Sequence, residues 1–484
     1  MNSFSRRTDL AGRSTALAVA SHRALWACFW LLSAISVAVV VGMLTDDDNR
    51  PVVVVLLVLA AIAIVFELSL VRNGAAPFFE IGGFFAAVVS IYACYPMIGY
   101  LVNGLTFTPL NDLRLFNGQP TPRQIATIGW WYAAFLASFC LAYRLCRGRN
   151  ASLRARPASI RLLVVAVVLY GVILAFIMVC EEWLTLNEGT YEGTYVAIRN
   201  LPRLLRQVYT SSAGMLPTLS ILILIGFFAH YSKTRVYILL WFATFGYLVW
   251  AARGSRTGFF ILAFAALMLY HHLVRPISLR SAVVMAVVGV IAFNAFGALR
   301  TSHGLSAGMF GVANEFESIF ATVFDLKYVQ QAQGALLGHP ELRLTDLLAV
   351  IPQQLLPFPK GMPADWYVIT YYPTYYATGG GMAFGVVAEA VTGWGWVELA
   401  IRGVLLGVLF GLLHRHFSRR VLGPGTLALY IWLTMWSYNC VRNTTMPLLG
   451  WFIYQFLVPI GIVMLLTRLV SRRDVRGATV MIGA

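Results

Sequence analysis

The residues with chemistry to offer gather in the second half of the chain, around a long stretch between two apolar segments, residues 300–395. Glu389 stands in Gly385-Val-Val-Ala-Glu-Ala, where a helix begins after three glycines and heads toward an apolar block. A carboxylate there is costly unless paired, which makes it a functional-site candidate, as a general base or as the counter-ion of an arginine. His303 and His339 are further candidate bases near neutral pH, against the blander reading of solvated loop histidines. Arg203, Arg253, Arg256, Arg300 and Arg442 are fork-shaped permanent cations able to grip the oxygens of a diphosphate. Arg300 and Arg203 each precede a glycine at Arg-x10-Gly spacing, ending at Gly311 and Gly214. Composition alone supplies several such spacings, so their placement beside span ends carries the interest. The competing reading is snorkelling, or salt bridges to Glu188, Glu192 or Glu315.

An aromatic cluster, Trp366, Tyr367, Tyr371, Tyr372, Tyr375 and Tyr376 with Trp394 and Trp396, belongs to the same stretch. It reads either as an interfacial anchoring belt or as a platform for stacking sugar rings, with Tyr372, Tyr375 and Tyr376 as sugar-binding candidates. Asp46, Asp47 and Asp48 form an acidic run that reads more simply as a solvated turn than as a metal site. No zinc spacing, P-loop or dinucleotide fingerprint is present, so neither a metal nor a cofactor is expected. The six cysteines show no metal spacing or convincing pairing.

These residues must be positioned by membrane helices. The chain is 59% hydrophobic and 12% charged, against about a quarter charged in an ordinary soluble domain. Its apolar residues fall in blocks of about twenty, the length that crosses the hydrocarbon core. Spans are expected at about 24–44, 51–71, 78–102, 124–145, 162–183, 214–231, 236–252, 258–274, 281–298, 396–413, 424–440 and 446–467, making an all-α polytopic membrane protein of about 12 helices. The run 24–44 is too long for a signal-peptide core and reads as an uncleaved anchor. Most of the net charge of +16 falls in alternate loops, with Arg6, Arg147, Arg235, Arg280, Arg419 and Arg473 among them. That is the positive-inside pattern, not a nucleic-acid footprint, and it puts both termini in the cytoplasm.

Three regions result. Residues 1–298 hold spans one to nine with an outer loop at 184–213. Residues 299–395 form the large outer loop, and 396–484 hold spans ten to twelve with a basic cytoplasmic tail. Within the large loop, Val312, Phe316, Ile319, Phe320, Val323 and Phe324 recur at helical spacing, predicting a helix that lies along the interface with its apolar side toward lipid or the bundle, or one that packs in a small core of the loop. Pro352, Pro357, Pro359 and Pro363 exclude a long helix after it.

The late outer loop, the arginines at 203, 253, 256, 300 and 442, and the stretch Gly-Gly-Gly-Met-Ala-Phe-Gly-Val-Val-Ala-Glu-Ala followed by Gly393-Trp-Gly-Trp together resemble the Wzy-type O-antigen or oligosaccharide repeat-unit polymerases. The resemblance implies a GT-C-like glycosyltransferase in the bacterial inner membrane, with its active site on the periplasmic side. Its substrates would be oligosaccharides on undecaprenyl diphosphate. A chain-length regulator and a repeat-unit flippase would be partners, together with membrane lipids and no nucleic acid. It further implies Glu389 as base, with His339 and His303 behind it, and the five arginines on the diphosphate. An O-antigen ligase acting on lipid A core and a flippase of lipid-linked oligosaccharides are the alternatives.

Overall fold

The structure, a computed structural model, describes residues 48–71, 77–103, 120–148, 153–183, 191–230, 237–238, 241, 256–282, 284–285, 288–289, 315–333, 345–348, 350–351, 355–357, 362–377, 381–445 and 447–482. Its helices are α1 (Arg50–Leu70), α2 (Ile81–Asn103), α3 (Pro122–Cys146), α4 (Ile160–Trp183), α5 (Tyr191–Asn200), α6 (Arg203–His230) and α7 (Arg256–Leu269). After these come α8 (Glu315–Gln333), α9 (Pro363–Tyr371), α10 (Pro373–Ala377), α11 (Val386–Val391), α12 (Trp396–Ser418), α13 (Pro424–Trp436), α14 (Leu448–Trp451) and α15 (Val458–Ile482).

Among the described residues seven helices are long and apolar enough to cross a membrane, and α7 with its continuation is a shorter apolar helix. The chain is therefore a membrane-embedded, mainly α-helical protein. The expected spans at 24–44, 236–252 and 281–298 lie wholly or mostly outside the described residues. α4 turns Val164, Val168, Val172 and Val179 outward, as a lipid-facing helix does.

Local sequence accounts for the helix ends. Thr121 caps α3 in a capping box with Gln124, and Pro122 occupies the first turn, where its missing N–H costs nothing. α12 lies along α3 because Gly403, Gly407 and Gly411 repeat every fourth residue. A Cβ at Gly407 would stand 2.5 Å from the Phe139 carbonyl oxygen, and one at Gly411 3.0 Å from that of Tyr143. Only hydrogen fits there, so the two backbones come together as in small-residue membrane packing.

Two wide π-turns interrupt the helices, Tyr270–Val274 after α7 and Phe452–Leu457 between α14 and α15. At the second, the Gln455 carbonyl accepts the Thr218 hydroxyl of α6 at 2.6 Å. This is how a membrane helix satisfies a backbone oxygen freed by irregular winding.

Two ends of the bundle carry polar contacts. At one, Arg147 at the end of α3 meets Glu80, which precedes α2, and β1 (Arg154–Ala155) pairs in parallel with β2 (Val421–Leu422). At the other, the start of α12 meets α11 and residues 439–445. α2 and α13 leave the first end, whereas α3, α7 and α12 arrive at it.

The helix expected in the large loop is α8, and its apolar side faces the bundle and other parts of that loop. It packs on α2, α3 and α11, with Phe316, Ile319, Phe320, Val323 and Phe324 buried, and Glu317 and Asp325 buried too. The reason is polar satisfaction: Asp325 Oδ2 receives the hydroxyls of Tyr367 at 2.8 Å and Tyr372 at 2.7 Å, so its acidic positions need not face water. Among its described residues the Pro-rich region contains only short helices, as its prolines require. The loop expected at 184–213 is helical over much of its length, in α5 and the first turns of α6.

Candidate functional site

Glu389 lies not at the start of a long helix but on α11, a six-residue helix buried at every position. Two glycines in the left-handed region bracket it, Gly385 at φ 89° and Gly395 at φ 67°. Both turns need glycine, since a side chain in that region costs roughly 1–2 kcal/mol. The Gly385 N–H donates to the Asn443 carbonyl at 2.9 Å, docking α11 on the segment after α13. The Gly395 N–H donates back to Ala390, closing the turn into α12.

The carboxylate of Glu389 is 3% exposed and closely held. Its Oε2 lies 2.5 Å from Arg402 Nη1 and accepts the Thr445 N–H at 3.0 Å and the Thr445 hydroxyl at 2.8 Å. Arg402 also donates to the Thr445 hydroxyl oxygen, so the three side chains form a closed ring of contacts. The same guanidinium grips Glu398 Oε1 through Nε at 2.9 Å and Nη2 at 2.5 Å. Glu398 Oε2 accepts the Trp394 N–H at 2.8 Å, which ties the turn after α11 to the first turn of α12. One buried cation thus serves two buried carboxylates, an arrangement that fixes side-chain direction more than it adds net stability. Charge-assisted contacts of this length are the strong class of hydrogen bond.

A second group stands around α9 and α10. The Arg199 guanidinium lies 4.1 Å over the Tyr376 ring and donates to the Tyr376 carbonyl at 2.7 Å. Arg206 donates to the Arg199 carbonyl at 3.0 Å, so α5, α6 and α10 are joined through arginines. Tyr372 is buried with its hydroxyl on Asp325, whereas Tyr375 and Tyr376 are half-buried. Burial, and then the Asp325 carboxylate beside it, hold the Tyr367 phenol well above its usual range. Burial lowers the ammonium of Lys327, which stands 5.7 Å from the Trp131 ring. Trp131 in turn packs on Trp396 at 4.9 Å.

The arginines expected on a diphosphate are only partly in view. Arg442 ends the short helical turn Asn439–Arg442, on the segment that supplies Asn443 and Thr445 to α11. Arg203 and Arg256 begin α6 and α7. Arg253, Arg300, His303 and His339 lie outside the described residues, as do Asp46 and Asp47. Asp48 is exposed in the turn before α1. The Arg203–Gly214 spacing falls within one helix, and its glycine serves packing: a Cβ there would meet Gln455 Cγ at 2.8 Å.

Glu398 and Thr445 were not among the residues expected at a site, and Arg402 stood out in the sequence only as one of a few ionisable residues within the spans, with Glu67 and Glu80. Glu398 and Arg402 do carry a sequence signal, an acid four residues before a base on one helix face. Among the described residues no group of three His, Cys, Asp or Glu is placed to hold a metal ion. Comparison with protein-family models, with curated proteins and with solved structures finds no match for the chain.

Proposed function

We propose that the chain is a membrane glycosyltransferase that joins oligosaccharide repeat units carried on undecaprenyl diphosphate, working at the end of the bundle where α11 meets α12. The observation that carries this reading is Glu389: a carboxylate buried at a bundle end and aimed by Arg402 and Thr445. Arginines and tyrosines from α5, α9 and α10 stand at neighbouring elements of the fold. The charge pattern of the loops supports a periplasmic placement of this end in a bacterial inner membrane.

In this reading a hydroxyl of the acceptor's terminal sugar attacks the anomeric carbon of the donor's reducing-end sugar. The new C–O bond forms as the bond from that carbon to the diphosphate oxygen breaks, and undecaprenyl diphosphate departs with the electron pair. Glu389 takes the hydroxyl proton, with Arg402 and Thr445 fixing the direction of its carboxylate. Arg203, Arg253, Arg256, Arg300 and Arg442 balance the charge that builds on the leaving diphosphate, work that needs no proton transfer from them. His303 and His339 are the further candidate bases. Tyr375 and Tyr376 offer aromatic surface to the sugar, with Tyr372 holding their segment to α8.

A transporter of the same lipid-linked sugars is the second reading, and the observation that favours it is the set of buried ion pairs at both ends of the bundle. A ligase would use the same donor with lipid A core as acceptor. Purified protein in proteoliposomes, supplied with lipid-linked repeat units alone and then together with lipid A core, separates the three. A ladder of lengthened glycans lost in Glu389→Gln supports polymerisation. Movement of the lipid across the bilayer without new glycosidic bonds supports transport, and elongation only on lipid A core supports the ligase. Arg300→Ala is expected to abolish the ladder while the protein still inserts.

A further inference from the structure

At the bundle end opposite Glu389, a second buried polar cluster plays no part in the chemistry above. Arg147 Nη2 lies 2.5 Å from Glu80 Oε1, and His414 Nε2 lies 3.6 Å from Glu80 Oε2. His414 Nδ1 is 2.9 Å from the Tyr430 hydroxyl, which accepts the Ile81 N–H at 3.3 Å. His272 contacts the Phe79 carbonyl through Nε2 at 3.1 Å. Elements α2, α3, α7, α12 and α13 all meet here.

Glu67, on α1, reaches into this cluster from the side. Both of its carboxyl oxygens are buried, and neither has a hydrogen-bond partner among the described residues. The side chain is directed at the turn that carries Glu80. Its Oε1 would stand 3.2 Å from a Cβ at Gly83, and the same Cβ would stand 2.2 Å from the Pro77 carbonyl oxygen. The Pro77 carbonyl is what requires glycine at 83, and the Glu67 carboxyl lies close beside that contact. The charged groups acting on Glu67 are Glu80, of like sign, and Arg147, which is already engaged with Glu80. The other titratable groups around the cluster are Cys140 and Tyr143 of α3, His271 and His272 after α7, His414 of α12 and Tyr430 of α13.

An ionised carboxylate that is buried, without a donor among the described residues and beside another carboxylate, carries a large desolvation cost together with repulsion. We infer that Glu67 is a proton-binding site, holding a proton as a neutral carboxylic acid next to the Glu80–Arg147 pair. The ligand is a proton from the aqueous phase at that end of the bundle. Binding places it on a Glu67 oxygen, and release adds one negative charge to a cluster packed among five helices. Any movement of α1, or of the Pro77–Glu80 turn, that admits water to Glu67 is thereby linked to proton release.

The test is infrared spectroscopy of the purified full-length protein at neutral pH, reading the C=O stretch of an un-ionised carboxyl, which a carboxylate lacks. The wild type is expected to show such a band, shifted when the protein is grown with carbon-13-labelled glutamate, and to lose about one carboxyl's worth of it in Glu67→Gln. Glu389→Gln is expected to keep that band. Should Glu67→Gln not fold, Glu80→Gln takes its place: with Glu80 neutral, Arg147 turns to Glu67, which ionises, and the band disappears. No labelled band in the wild type overturns the inference, as does a band unchanged in whichever of the two variants folds.

Discussion

Arg402 Nη1 sits 2.5 Å from Glu389 Oε2, while the Nε of the same guanidinium sits 2.9 Å from Glu398 Oε1. A single side chain on α12 therefore orients a carboxylate on a different helix and restrains one on its own. Removing the cation leaves two acids buried with no counter-charge from it. Arg402→Met is expected to cost about 3–5 kcal/mol, the usual loss when one partner of a buried pair is taken away. Arg402→Lys, which keeps the charge but not the fork, should fall between that variant and the wild type. Thermal and denaturant unfolding of the three proteins in one detergent gives the order.

Gly385 has φ 89°, and a Cβ there would lie 2.9 Å from Ile319 Cγ2 of α8. Gly385→Ala should therefore lose about 1–2 kcal/mol from backbone strain alone, and more from the clash. Ile319→Ala, which removes the methyl in the way, should restore part of the loss in the double variant. Additive losses in the double-mutant cycle would show that the two positions do not touch.

A larger residue in the glycine row of α12 should separate it from α3. Gly407→Val must fit three heavy atoms where one Cβ already meets the Phe139 carbonyl at 2.5 Å and Ala142 Cβ at 2.8 Å. A loss of about 1–3 kcal/mol is expected for overpacking, or failure to fold. Gly425→Ala, whose nearest neighbour would be at 3.6 Å, serves as the benign control. Melting temperatures and the yield of monodisperse protein report both.

Tyr367 gives a pH signature. Its phenol is raised in the folded protein by burial and by the Asp325 carboxylate, so folding favours the protonated form. The contribution is fully present below the ordinary tyrosine range, about pH 10, and is lost as the pH rises beyond it. A difference titration of tyrosinate absorbance, wild type minus Tyr367→Phe, should show one phenol that ionises only with unfolding. A phenol titrating at its ordinary position with the fold intact would contradict the burial described.

Several of these features were legible in the sequence and others were not. The blocks of apolar residues announce membrane helices because hydrocarbon thickness sets their length, and α1 to α4 fall close to the expected spans. Glu389 announced itself as a charge in need of a partner. That partner, Arg402, stands within an apolar run, where it reads as an isolated intramembrane cation until the Gly395 turn folds α11 back against α12. The helix α8 illustrates a limit of periodicity. Its acids at Glu317 and Asp325 mark a polar face only if nothing buries them, and the hydroxyls that accept Asp325 into the interior come from α9 and just beyond it. The row Gly403, Gly407 and Gly411 could have been read as a close-packing seam. Its partner helix, α3, is far away in the chain, and spacing alone names no partner.

That seam has a mechanical consequence. With no side chains on α12 along it, that helix lies directly against the α3 backbone, and the two are expected to move as one stiff strut. Arg402 lies toward one tip of this strut and His414 toward the other, about 18 Å apart at 1.5 Å per residue. A tilt of this strut that moves Arg402 one way is expected to move His414, and with it the surroundings of Glu80, in the opposite sense.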